Sequence, residues 1–188
     1  VSLSAALITE TARTLLIHYG LPDVSMRRLA KELGVAPGAL YYHVSSKQEL
    51  LTRVARAILS PLEEQPGDAR TLMLRFRELV LPLRDAGDLL LLAYALDPQL
   101  PPAHLLPARL SDTGWEAGEA HRITQVVMRF ALGAVATEQN QRLLSGEEEP
   151  SAGGAATSDA PQAAEAELIY LHGLERLLHP PAAQGMSS

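Results

Sequence analysis

Apolar residues recur at helical spacing along most of the chain. Between Ser4 and Tyr19 they fall at Ala5, Leu7, Ile8, Ala12, Leu15 and Leu16, which marks one face of a helix. Gly20 ends that helix, and Leu21-Pro22-Asp23 continues as a turn. Ser25 stands at an N-cap position before MRRLAKEL, where its hydroxyl can accept from a free amide of the first turn. Gly34 closes this short second helix. Ala36-Pro37 opens a third short element, with proline in the first turn, where its missing N–H is harmless. GALYYHV follows. Ser46 and Glu49 then form an S-x-x-E capping box that starts a fourth helix reaching to about Leu62.

Past Asp68 the helical pattern continues. ARTLMLRFRELVLPLR predicts an amphipathic helix, and GDLLLLAYAL a shorter and more buried one. Asp97-Pro98 and Pro101-Pro102 break the chain, and AHLLPARLSDTGW reads as helical with Pro107 inside it. Glu116 to Leu144 is the longest periodic segment, with Ile123, Val127, Phe130 and Ala134 at helical steps. Ala131, Gly133, Ala134 and Ala136 share it, small enough to let another helix approach closely. Residues 145–162 are acidic and rich in glycine and alanine, the composition of a flexible loop. Ala163 to Leu178 predicts a last helix with Leu168, Leu171, Leu174 and Leu178 on one side. Aromatic residues are only 4% of the chain and β-branched runs are absent, so the expected fold is all-α.

Composition narrows the function. With no cysteine, disulfides, thiol catalysis and Cys-ligated zinc are excluded. The longest apolar stretch, Leu89 to Leu96, is far short of the ~20 residues that span a bilayer. No basic segment followed by an apolar run opens the chain, so the expectation is a soluble cytoplasmic protein without membrane association. The formal net charge of −6 is uneven: residues 1–60 carry +3 and the remainder −9. A basic head on an acidic body suits a nucleic-acid-binding module, although +3 over that length also falls within ordinary scatter. The six histidines (His18, His43, His104, His121, His172, His179) form no i, i+4 pair and no HExxH. No phosphate loop, GxSxG elbow or DxDxDG loop occurs. No catalytic residue and no metal ligand is assigned.

The second and third helices are short and joined by a glycine-containing turn, the pattern of a helix-turn-helix. Val24, Leu29, Ala30, Leu33 and Val35 would converge with Leu40 and Val44, leaving Gly38, Ala39, Tyr42 and His43 outward. An ordinary helical hairpin accounts for the leucines. It does not account for Tyr41-Tyr42-His43 followed by Lys47. The stretch from Leu3 to Leu62 resembles the N-terminal domain of the TetR (tetracycline-repressor) family. The resemblance is carried at fixed spacing by Ser25, Arg27, Leu29-Ala30, Leu33-Gly34-Val35, Leu40-Tyr41, His43, Lys47 and Leu50-Leu51. It implies a three-helix DNA-binding domain over residues 1–47, a connecting helix over 48–66, and a helical ligand-binding and dimerisation domain over 67–188.

The resemblance also implies roles. The third helix would enter the major groove, with Pro37, Gly38 and Ala39 at base-facing positions. These offer close approach or a methyl contact but no bidentate hydrogen bond, so base reading would fall to Arg27. Ser25, Arg28, Tyr41, Tyr42, His43 and Lys47 would touch phosphates. Three have alternatives: Arg28 as a solvated surface residue, Tyr41 in the core, and His43 packed on the fourth helix. The two long C-terminal helices resemble the family's four-helix dimer interface. ALGAVATEQNQ and LIYLHGLERLL match tetracycline-repressor-like members in particular. They also carry more apolar surface than one chain can cover, which an isologous dimer would resolve. Two heads then imply a palindromic operator on double-stranded DNA.

A cavity in the body, implied by the family, has Phe76, Tyr94, His104, Trp115, Gln125 and Arg129 as candidate lining groups. Tetracycline binds relatives as a magnesium chelate through a histidine and a glutamate. Here LLAYALDPQL has no histidine, Thr137 takes the glutamate position, and Glu138 lies about 100° away around the helix. The expectation is therefore an unidentified small-molecule inducer, no cofactor and no magnesium–tetracycline site. The functional expectation is a homodimeric, ligand-responsive transcriptional regulator, most often a repressor. The alternative is a helical small-molecule-binding or protein-interaction module that no longer reads DNA.

Overall fold

The computed structural model describes residues 2–145 and 160–180, and among these every regular element is helical. The helices are α1 (Ala5–Tyr19), α2 (Met26–Glu32), α3 (Pro37–Tyr41), α4 (Lys47–Leu59), α5 (Ala69–Val80), α6 (Ala86–Leu96), α7 (Leu106–Asp112), α8 (Ala117–Ser145) and α9 (Ala160–Leu178). The loop expected over 145–162 falls almost wholly outside the described residues. No helix of the described residues is long and apolar enough to cross a membrane.

Side-chain caps set the helix starts. The Ser4, Ser25 and Ser46 hydroxyls accept from the amides of Leu7, Arg28 and Glu49 at 3.1–3.2 Å, and the Asp68 carboxylate accepts from Thr71 at 2.8 Å. The second half of the expected capping box is displaced by one residue. Glu49 accepts from the amide and hydroxyl of Ser45, at 2.8 and 2.7 Å, rather than from Ser46. Gly20 and Gly34 end α1 and lie beyond α2 with φ of +83° and +65°. Apart from α9, which starts at Ala160 rather than Ala163, three boundaries differ from the sequence expectation. Proline is involved each time: Pro82 follows the end of α5, Pro61 lies in the 3-10 turn Ser60–Leu62 that terminates α4, and Pro107 sits in the first turn of a shortened α7.

A continuous apolar core runs from head to body. In the head, Ile8, Ala12, Leu16, Val24, Leu29, Leu40 and Val44 are buried, while Leu33 and Val35 are half-buried. α4 packs on both α1 and α6, and so links head and body. In the body α6 and α7 lie on α8, and α8 lies on α9. Two glycines make these crossings possible. A Cβ on Gly87 would stand 2.7 Å from the Ala136 Cα, and one on Gly173 would stand 2.1 Å from the Phe130 ring. Phe130 stacks on Tyr170 at 5.8 Å between centroids, and the Tyr170 hydroxyl donates to the Met73 carbonyl at 2.9 Å.

Three polar residues are buried in this body, each with partners: Thr124 donates to the Ala120 carbonyl at 2.8 Å, and the other two bond to distant elements. Gln139 shares its amide nitrogen among the carbonyls of Val80, Leu81 and Leu83 at 2.7–3.1 Å, and its oxygen accepts from Gly87 at 2.8 Å. It thereby satisfies the end of α5 and the start of α6 together. Glu138, 5% exposed, receives Arg77 at 2.8 and 3.0 Å and Arg142 at 2.6 Å. The buried side of α9 is formed by Tyr170, Leu174 and Leu178. Leu168, expected on that side, is instead 60% exposed, because the inward stripe runs through Tyr170 two positions later. Leu168, Ile169, Val126 and Leu144 give the outer faces of α8 and α9 an apolar character.

Candidate nucleic-acid interface and effector cavity

The head presents the sequence-derived residues on one surface built around α3. Pro37, Gly38, Tyr41, Tyr42, His43 and Lys47 are exposed and Ala39 is half-buried, above the anchors Leu40 and Val44. Tyr42 is 91% exposed, and Tyr41 is exposed rather than in the core. His43 is likewise exposed, not packed away on α4. A Cβ on Gly38 would meet nothing within 4 Å, and its φ is not positive. Nothing inside the protein therefore requires glycine there, although glycine in a helix costs about 1 kcal/mol relative to alanine. Such a surface of small residues beside two tyrosines can come close to a grooved, polar partner.

Arg27 and Arg28 are adjacent but differently placed. Arg27 is exposed and makes no ion pair among the described residues. Arg28 is half-buried, 3.6 Å from Asp23, 4.0 Å from Glu32 and 5.0 Å over the Tyr19 ring, so its charge is largely engaged within the head. Ser25 caps α2 through its hydroxyl. Lys47 opens α4, where cationic reach and helix N-terminal amides point the same way. The preceding turn is fixed by Glu49. The Ser45 hydroxyl and amide, then Arg53 at 2.8 Å, lower its pKa from 4.5 to about 2.

Lys47 also borders a cleft between head and body, lined by Leu21, Pro22, Leu51, Asp85, Asp88 and Leu92. Asp85 carries the junction. Its backbone is left-handed at φ +52°, unusual for a residue with a side chain, and its carboxylate accepts the Leu21 amide at 2.8 Å. Gly20 is required beside it, because a Cβ there would lie 2.4 Å from the Asp85 carboxylate oxygen. Arg56 of α4 pairs with Asp97 just after α6, a second tie between these elements.

In the body, a cavity of about 430 Å³ opens between α6, the 98–103 segment and α8. Of the candidate lining residues it brings together Tyr94, Gln125 and Arg129, with Leu91, Ala95, Pro98, Gln99, Ala103, His121, Thr124 and Leu132. The other three lie elsewhere. Phe76, on α5, is fully buried in the core, and His104 bonds to Glu63 and the Gln99 carbonyl at 3.0 and 3.1 Å. Trp115 donates to the Leu178 carbonyl at 3.0 Å and so holds the end of α9. His121 and Thr124 escaped sequence reasoning. They share a helix whose residues are apolar on several sides, so its phase was not legible. The lining holds no carboxylate, and Glu138 is committed to Arg77 and Arg142. Thr137 is exposed on α8. A hard divalent ion such as magnesium prefers oxygen ligands with a carboxylate among them, so these residues do not fit a magnesium chelate. Among the described residues no group of three or more His, Asp or Glu could hold a metal.

Residues 8–54 match the sequence profile of the bacterial regulatory proteins of the tetR family. Tetracycline repressor protein class E of Escherichia coli is 33% identical over 141 residues, covering 70% of this chain and 67% of that repressor. A possible TetR family transcriptional regulator from Streptomyces coelicolor A3(2) has a solved structure that matches at 28% identity and a TM-score of 0.70, covering 93% of this chain and 97% of that one. BioQ, solved with its natural double-stranded DNA operator, shares the fold at a TM-score of 0.69 and 23% identity, covering 90% of this chain and 98% of that one. With a helix-turn-helix head at its start, an all-helical body behind it and a tetracycline repressor aligned across both, this chain belongs to the TetR family of bacterial regulatory proteins.

Proposed function

We propose that this protein is a homodimeric DNA-binding transcriptional regulator, a repressor released from a palindromic operator by a small molecule. The observation that carries the reading is the exposed α3 surface. Gly38, which nothing internal requires, stands beside Tyr41, Tyr42 and His43, which are exposed around a fully buried Leu40. The class E tetracycline repressor, aligned over both head and body, and the BioQ–operator complex support it. No catalytic role is assigned to any residue.

In this reading residues 1–47 form the DNA-binding domain, 48–66 the connection, and 67–188 the ligand-binding and dimerisation domain. Arg27, exposed and without an ion pair among the described residues, reads bases from the start of α2. A bidentate arginine–guanine contact supplies about 1–3 kcal/mol of discrimination. Pro37, Gly38 and Ala39 give α3 its close approach to the groove floor. Ser25, Tyr41, Tyr42, His43 and Lys47 position the head on phosphates. Arg28 acts mainly within the head, through Asp23 and Glu32. The apolar outer faces of α8 and α9, with open space beside Gly133, are the surface on which two copies meet.

Release follows from a population shift. An inducer that prefers one body conformation changes how the paired heads are held, and each tenfold preference supplies about 1.4 kcal/mol. Two substitutions test the head. Arg27→Ala relaxes sequence preference while leaving random duplex binding little changed. Lys47→Ala weakens binding to every duplex evenly and lowers the salt slope by about one. Equal losses on specific and random DNA for both variants would refute this division of labour.

A further inference from the structure

The cavity between α6 and α8 has a lopsided chemistry. Leu91, Ala95, Pro98, Ala103 and Leu132 supply apolar wall, and the polar groups are Tyr94, Gln99, His121, Thr124, Gln125 and Arg129. Arg129 is the one permanently charged residue among those that line it. Its guanidinium is held by its own helix, through Nη1 to the Gln125 carbonyl at 3.0 Å and the Gln125 side-chain oxygen at 3.4 Å. That leaves the remaining N–H donors, on Nε and Nη2, without an ion-pair partner among the described residues. Thr124 is spent, donating to the Ala120 carbonyl at 2.8 Å. The Tyr94 hydroxyl and the His121 ring make no hydrogen bond among the described residues. Burial raises the Tyr94 pKa and nearby Arg129 partly offsets this, so the phenol remains a neutral donor near neutral pH.

A cavity wall with an uncommitted guanidinium and no carboxylate favours negative charge. The planar fork of arginine matches a carboxylate better than it matches a neutral carbonyl. Resting on the reading of the protein as a ligand-responsive regulator, we infer that its effector is an organic monoanion. An apolar ring body would lie against Leu91, Ala95 and Leu132, and a carboxylate or comparable oxyanion would be held by Arg129 with Tyr94 as second donor, without a metal ion. The volume, about 430 Å³, suits a body of two or three fused rings. This differs in kind from a ligand held through a metal chelate, and it follows from the residues this chain places on α6 and α8.

The test uses 2-naphthoate and its neutral isostere 2-naphthamide as probes, titrated calorimetrically into the full-length protein with magnesium and again with EDTA. The expected result is naphthoate binding at least tenfold tighter than naphthamide, unchanged by EDTA. Arg129→Gln abolishes that preference, Arg129→Lys keeps part of it, and Ala95→Trp, which fills the cavity, removes both. Since Arg129 is exposed, its variants are expected to fold, and a circular dichroism spectrum and unfolding temperature matching those of the unsubstituted protein check this directly. Equal affinity for the two probes, a preference that survives Arg129→Gln, or a requirement for magnesium would overturn the inference. If both probes bind equally and Ala95→Trp blocks them, the anion claim fails while the cavity remains the effector site. If neither binds, and neither dissociates the protein from DNA, the ligand-responsive reading falls with it.

Discussion

At the scale of single residues, the informative positions are those whose identity the fold does not need. Gly38 has open space where a side chain would go, so Gly38→Ala should raise stability by several tenths of a kcal/mol. The same change should weaken operator binding by adding bulk where α3 meets the groove. Thermal unfolding and a DNA titration of the same variant check both halves, and tighter or unchanged DNA binding would contradict the role given to Gly38. Glu49 is the opposite case, fully engaged by Ser45 and Arg53. Its folded pKa of about 2 lies below the ordinary 4.5, so its contribution is complete above about pH 4.5 and is lost as pH falls toward 2. Glu49→Gln should therefore flatten the acid limb of stability in that window and leave stability above pH 6 less dependent on pH than on the lost Ser45 contacts. Unfolding curves between pH 2 and 7 report it. Asp85 adds a third test. Replacing it with alanine strips the Leu21 amide of its acceptor at the head–body junction and should cost about 1–3 kcal/mol.

At the scale of elements, much was legible because caps and breakers are local signals. Ser4, Ser25, Ser46 and Asp68 act within a turn of where they stand, so those helix starts could be placed from their neighbours alone, whereas the limits beside Pro61, Pro82 and Pro107 were overrun. What was not legible depends on contacts distant in sequence. Gln139 reads as one more polar residue on a long helix, yet it satisfies carbonyls nearly sixty residues earlier. Asp85 sits in an Arg-Asp-Ala run with no glycine to announce a left-handed turn. Phe76, His104 and Trp115 have the side chains of a binding site, but each is occupied in packing or in bonds that only the fold reveals. The small-residue positions of α8 were legible, though not their partner: Ala136 faces Gly87, while Gly133 faces open space. Gly87→Val and Gly173→Val should each be severely destabilising, by about 1–3 kcal/mol or more, since each added side chain meets backbone or an aromatic ring that cannot withdraw. Wild-type unfolding temperatures for either would show that the crossings are looser than described.

At the scale of the whole molecule, the arrangement is a chain of couplings. The cavity touches α6 and α8; α6 begins at Asp85, which holds the turn after α1; and α4, packed on α1 and α6, leads into the head at Lys47. A ligand that favours one position of α6 therefore acts on both ties to the head. In the proposed dimer, the apolar outer faces of α8 and α9 pair two such chains and set the distance between two α3 helices. All of this rests on the claim that the head reads DNA. The most direct measurement is selection of DNA from a genomic library by the full-length protein, followed by titration of the enriched sequence and a scrambled control at 50 and 200 mM salt. A two-half-site palindrome is expected, bound far more tightly than the scrambled duplex. Affinity should fall steeply with added salt, because contacts to several phosphates release their condensed counterions. No enrichment, or equal weak binding of both duplexes at either salt concentration, would contradict the account and leave a helical ligand-binding protein whose head has lost its reading function.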